Sequence, residues 1–107
     1  MIEDMDVERA LDFLRDSAKG MGSAKAETIR RGHMVKHTRA LMMKQFNGLS
    51  AAAQLREAEA SGAYLIALEA DAVAAGEYET LKSLREAASM RIEAWRSASA
   101  NYRAMKL

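Results

Sequence analysis

Apolar residues recur along this chain at alternating steps of three and four. The first stripe runs Val7, Leu11, Leu14, Ala18, Met21, Thr28, Gly32, Val35, Met42 and Phe46. The second runs Tyr64, Ala67, Asp71, Ala74, Tyr78, Leu81, Arg85, Ala88, Ile92, Trp95, Ser99 and Tyr102. Steps of three and four place side chains on one face of a helix, whereas a half-buried strand alternates every second residue. No alternating run of β-branched residues occurs, so the pattern predicts helices and no strands. The first stripe is interrupted by Lys25 and Arg39, and Gly20 and Gly22 weaken it by about 1 kcal/mol each relative to Ala. It reads as one long helix over about 6–46 that bends near Gly20, or as two helices broken there.

Between the stripes stands Asn47-Gly48-Leu49-Ser50. Asn-Gly signals a turn, Gly48 suits the position just past a helix end, and Ser50 is placed to cap the next helix. Short helical spacing then covers about 51–60, and Ser61-Gly62 marks a break before a last helix over about 63–105. At the start, Asp4 or Asp6 is placed to cap the first helix. The expectation is therefore a single all-α domain over residues 1–107, a long antiparallel helical hairpin of coiled-coil type. Two helices alone enclose little interior, and small chains bury a poor fraction of their surface. The hairpin is therefore expected to assemble with copies of itself into a helical bundle. Leu11, Leu14, Val35, Met42, Leu81, Ile92, Trp95 and Tyr102 are the candidate core or oligomer positions.

Composition supports this. Proline and cysteine are both absent. Without proline no position forbids a helix, and without cysteine there are no disulfides, thiolate metal sites or thiol nucleophiles. The opening Met-Ile-Glu-Asp-Met-Asp lacks the basic and then apolar pattern of a secretory signal. No apolar run approaches the roughly 20 residues that span a membrane. A cytoplasmic location is the expectation, with no membrane partner.

Charge is arranged in blocks. Residues 1–18 carry net −4, 19–44 net +6, 45–80 net −5 and 81–107 net +4. Folding at Asn47-Gly48 sets each basic block beside an acidic one, whereas a parallel alignment sets like on like. Each exposed pair contributes only about 0.2–1 kcal/mol, so the value of the pattern lies in selecting one alignment over its competitors.

The run from Arg30 to Arg39 is the candidate nucleic-acid segment, with Arg30, Arg31, Lys36 and Arg39 positioned to displace counterions from phosphates. Against that stands the hairpin itself, in which these cations meet acidic neighbours. The near-neutral overall charge of +1 points the same way. His33 and His37, four apart, share a helical face, but cationic neighbours and the lack of a third ligand argue against a metal. Trp95, with Arg91 and Arg96 beside it, reads as a packed seam residue or an interface anchor. No phosphate loop, di-iron Glu-x-x-His pair or nucleophile motif occurs. The expectation is a non-enzymatic protein with no cofactor, no metal and no small-molecule substrate.

Ala40-Leu41-Met42-Met43-Lys44, Leu55-Arg56-Glu57-Ala58-Glu59-Ala60, Tyr64 and Arg91-Ile92-Glu93-Ala94-Trp95-Arg96-Ser97 occur in this order along the chain. In that order and spacing the chain, from Phe13 onward, resembles a family of small helical proteins of tailed phages and prophages. Genes of that family lie near single-strand annealing and recombination genes. Gly20, Gly22 and Gly32 depart from its first long helix. The resemblance implies a setting in phage DNA metabolism and carries no catalytic residues. The function it implies is that of an accessory protein in recombination or replication, binding a protein of that process and, in one form, DNA. The alternative is a structural or adaptor coiled coil that touches no nucleic acid.

Overall fold

The computed structural model describes residues 3–106. Those residues are all-helical, with no strand among them: α1 spans Asp4–Lys44, α2 Ala51–Glu59 and α3 Gly62–Lys106. They fall into two compact units, residues 1–22 with 79–107 and residues 23–78. The first is called the terminal unit, and the second the turn unit.

Helix α1 is unbroken through Gly20 and Gly22. Its start differs from the sequence expectation. Neither Asp4 nor Asp6 precedes the helix. Asp6 sits in the first turn, and its carboxylate accepts from the Glu3 backbone N–H at 3.4 Å. That is the backward-reaching half of a capping box, performed by an acid at the third helical position.

In the turn unit α1 ends without the left-handed glycine that Gly48 suggested, since no described residue has positive φ. The helix instead tightens, with Gln45 N–H bonding to Met42 O, Phe46 to Met43 O and Leu49 to Phe46 O. These three-residue steps satisfy carbonyls that a helix end leaves open. Ser50 then caps α2, its Oγ accepting from Ala53 N–H at 3.3 Å. Ser61 separates α2 from α3 by bonding in both directions. Its hydroxyl donates to Ala58 O at 2.7 Å and accepts from Tyr64 N–H at 3.2 Å. Past these two serines, α3 runs back antiparallel to α1 within the unit. Lys25 lies over the Tyr78 ring near one end, and Met34 and Thr38 line a groove with Ala63 and Ala67 near the other.

In the terminal unit the two helical segments are likewise antiparallel. Trp95 meets Asp4, and Arg85 meets Leu14 and Ser17.

The packed stripe of α3 is the predicted one. Tyr64, Ala67, Asp71, Ala74, Tyr78, Leu81, Arg85, Ala88, Ile92, Trp95 and Ser99 are all buried or half-buried. In α1 the phase differs: Ala10, Ser17 and Ala24 turn inward where Leu11, Ala18 and Lys25 were expected. From Ala24 the inward positions step by four twice, to Thr28 and then Gly32. A doubled step of four is a stutter, which locally unwinds a coiled coil and shifts its phase. This shift reconciles an alanine-lined start with the Val35–Met42 stripe beyond it.

The seam is shallow. The buried apolar residues are Val7, Ala10, Ala58, Ala74 and Ala88, and no large side chain is fully buried among the described residues. An alanine methyl contributes about 0.8 kcal/mol on burial, against roughly 1.5–3 for a leucine-sized side chain. Helix propensity and caps therefore carry an unusual share of the stability.

Candidate interaction surfaces

Local sequence decides where each candidate side chain points. The acid-free stretch 28–44 of α1 carries its cations mostly on the exposed sides of the helix, Arg39 alone being half-buried beside Val35 and Met42. Glu27, one turn earlier, draws back two of these cations. Arg30 donates to its carboxylate, and Arg31 Nε does so at 2.7 Å. Arg39 turns toward α2, with Nη1 at 3.9 Å from Glu59. Lys36 is exposed and makes no ion pair among the described residues.

The four candidate phosphate contacts therefore do not act as one open cluster. Three lie against carboxylates. What the helix does present outward is a stripe along His33, His37 and Lys44, exposed throughout and free of acids, with Arg30, held by Glu27, at its start. His33 and His37 belong to it as surface residues. Among the described residues no group of three or more metal-capable side chains occurs.

Arg39–Glu59 is also the one ion pair linking two helices among the described residues. Arg96 pairs with Glu93 on its own helix at 2.9 Å and does not reach the acidic first turns of α1. The block pattern of charge is thus expressed mainly within helices. Glu69, Asp71 and Glu77 on α3 make no ion pair among the described residues.

The candidate core positions divide too. Leu14, Val35, Met42, Leu81, Ile92 and Trp95 are half-buried in the seams. Leu11 and Tyr102 stand 51% and 55% exposed, outside them. Sequence reasoning placed Leu11 inward because the heptad was extended without the stutter.

Two apolar surfaces emerge, the first of them off the predicted stripes and the second at the end of the α3 stripe. In the turn unit Met34 on α1, and Ile66 and Val73 on α3, border one groove, its floor formed by Ala63, Ala67 and Ala70. Ile66 is 69% and Val73 61% exposed. Their spacing of seven was the available signal: a second apolar stripe, one step off the first. In the terminal unit Trp95, Ala98, Ser99 and Tyr102 form a groove edged by Glu3, Asp4 and Arg103. Here the Trp95 indole N–H donates to Asp4 Oδ1 at 2.9 Å.

The seam of the terminal unit holds a cation. Arg85 Nη1 donates to Leu14 O at 2.8 Å and Ser17 Oγ at 2.6 Å, both uncharged acceptors. A hydrogen bond from Arg15 holds the Asp16 carboxyl below its usual range. No described helix is long and apolar enough to cross a membrane.

Comparison of the chain with protein-family models, with curated proteins and with solved structures finds no match in any of the three.

Proposed function

We propose that this protein is a non-enzymatic accessory protein that works in the cytoplasm by binding other proteins, in the DNA recombination or replication setting its sequence resembles. The observation that carries the reading is the distribution of apolar surface. Ile66, Val73, Leu65, Leu84 and Met90 are each more than half exposed, while the buried set is one valine and four alanines. Ile66 and Val73 border one groove of the turn unit, and an exposed apolar groove rimmed by charge is the signature of a protein-binding face. The test is recovery of the tagged protein from phage-infected or lysogenic cells, with identification of the proteins that copurify. A recombination or replication protein in stoichiometric amount supports the reading. Recovery of the chain with no other protein sinks it.

Direct DNA contact is a second reading, favoured by the acid-free outer stripe of His33, His37 and Lys44. Counterion release then makes affinity for an oligonucleotide fall steeply with salt. Fluorescence anisotropy with single-stranded and duplex DNA at low salt decides it. If neither binds, the chain is an adaptor that touches no nucleic acid, in keeping with the pairing of Arg30, Arg31 and Arg39 to Glu27 and Glu59.

A further inference from the structure

A standard stable interface takes about 800 Å² from each partner, and an obligate one takes more. In the turn unit Ile66 is 69% and Val73 61% exposed, with Met34 43% exposed facing them.

The groove of the turn unit has the chemistry for that contact. Its centre is apolar and its two edges are opposite in sign. The α1 edge carries Arg30 and Arg31 against the single acid Glu27, whereas the α3 edge carries Glu69 and Glu77 and no base. Glu27 holds Arg30 and Arg31 at the α1 edge. At the α3 edge Glu69 and Glu77 line the groove and make no ion pair among the described residues.

We propose that this groove binds the same groove of a second copy of the chain, with α1 of each lying over α3 of the other. Charge selects this arrangement. Two copies can stack face to face about an axis along the helices or about an axis across them. The axis across sets α1 on α1, base on base, and α3 on α3, acid on acid. The axis along sets the basic helix on the acidic one, twice, by symmetry. It also preserves level. Arg31 lies level with Ala70 across the groove, so Arg30 and Arg31 approach Glu69 of the second copy. Met34 then meets Ile66 of the second copy, and the turn units become a four-helix bundle with alternating charge around it.

The inference rests on the reading of the chain as a protein-binding module, and its failure is separable from failure of that reading. A dimer that recovers no recombination or replication protein leaves this proposal standing. A monomer that recovers one overturns it alone. Sedimentation equilibrium of the full chain gives a mass of two chains or a multiple of two. Ile66→Glu with Val73→Glu raises the dissociation constant roughly a hundredfold, with helicity retained by circular dichroism.

The arrangement is tested by crosslinking, which the absence of native cysteine makes clean. Single variants Met34→Cys and Ile66→Cys, mixed and treated with a short bis-maleimide, yield the mixed 34–66 product in excess over 34–34. A monomer at every concentration, an unchanged association constant in the double glutamate variant, or a dominant 34–34 product overturns the proposal.

Discussion

Arg85 reaches across the terminal unit to Ser17, with Nη1 at 2.6 Å from the hydroxyl oxygen and 2.8 Å from the Leu14 carbonyl. Neither acceptor depends on it. The Ser17 hydroxyl donates in turn to Phe13 O at 2.6 Å, and a helical carbonyl has its own N–H partner. Removing the guanidinium therefore strands no buried group. The arginine stem still covers apolar surface in the seam. Arg85→Met is expected to change stability by less than about 1 kcal/mol, and Arg85→Ala to cost about 1–3 kcal/mol through lost packing. Urea unfolding of the two variants checks this. An Arg85→Met loss as large as that of Arg85→Ala would show that the charge, not the stem, holds the helices.

Near the free ends of the same unit, the only tryptophan in the chain donates to Asp4. The acceptor sits in the first turn of α1, where a carboxylate also faces the positive end of the helix dipole. Trp95→Phe keeps most of the ring and removes the donor. It is expected to cost about 0.5–1.5 kcal/mol, and Asp4→Ala a similar amount. In the double variant the losses should fall short of additive, because both singles remove one contact. Strict additivity in a thermal-unfolding cycle would mean the bond contributes nothing in solution.

Gly20 and Gly22 lie inside a continuous α1, and a Cβ added at either meets nothing within 4 Å. Neither has positive φ. Nothing in the folded chain therefore needs glycine there. Gly20→Ala and Gly22→Ala are each expected to stabilise by about 1 kcal/mol, since alanine has less backbone freedom to lose on folding. Differential scanning calorimetry reads the effect as a higher Tm. A fall in Tm would place a bend at these positions in solution.

These glycines mark one limit of what sequence conveys. Propensity there argued for a bend, but a helix supported on both sides carries two glycines at a cost of only about 2 kcal/mol in total. The α3 seam was legible from Tyr64 to Ser99 because its spacing never slips. The α1 seam was legible from Val35 onward and misread before it. Leu11 is more hydrophobic than Ala10, yet two helices this close admit only the smaller side chain between them. The basic run was legible as composition and not as a surface. Whether Arg30 faces solvent or Glu27 depends on a pairing between side chains three residues apart, for which the sequence offers several equal partners. The Ile66–Val73 groove was hidden because each residue, read singly, is one more apolar residue on a helix.

Asp16 offers a pH test. Arg15 Nε donates to Oδ1 at 2.9 Å and depresses the carboxyl, chiefly through that hydrogen bond. A depressed folded-state pKa stabilises the fold above the unfolded pKa, and that contribution is lost as pH falls through the folded value. Because the pair is fully exposed, salt screens it. Arg15→Gln is expected to move the Asp16 titration upward, toward the ordinary aspartate range, and to leave stability at neutral pH essentially unchanged. NMR titration of the side-chain carboxyl carbons measures the shift, which should shrink in high salt even for the parent chain. No difference between parent and variant would remove the pairing.

The sharpest local prediction concerns Ser61. One hydroxyl closes α2 by donating to Ala58 O and opens α3 by accepting from Tyr64 N–H. Ala58, whose carbonyl it holds, is fully buried. At Ser50 the hydroxyl bonds only to Ala53 N–H, at 3.3 Å. Loss of a serine cap typically costs about 1 kcal/mol. Ser50→Ala is therefore expected near that value and Ser61→Ala above it, since Ser61 serves two helix ends. Amide hydrogen exchange separates the two, with faster exchange around Tyr64 in Ser61→Ala and around Ala53 in Ser50→Ala. The junction also lacks proline, and Gly62 has ordinary φ, so the break rests on this hydroxyl and on the tightened Ser61 N–H to Ala58 O bond at 3.1 Å. If Ser61→Ala instead gains helical signal and stability, α2 and α3 have fused, and the break between them was held by the serine alone.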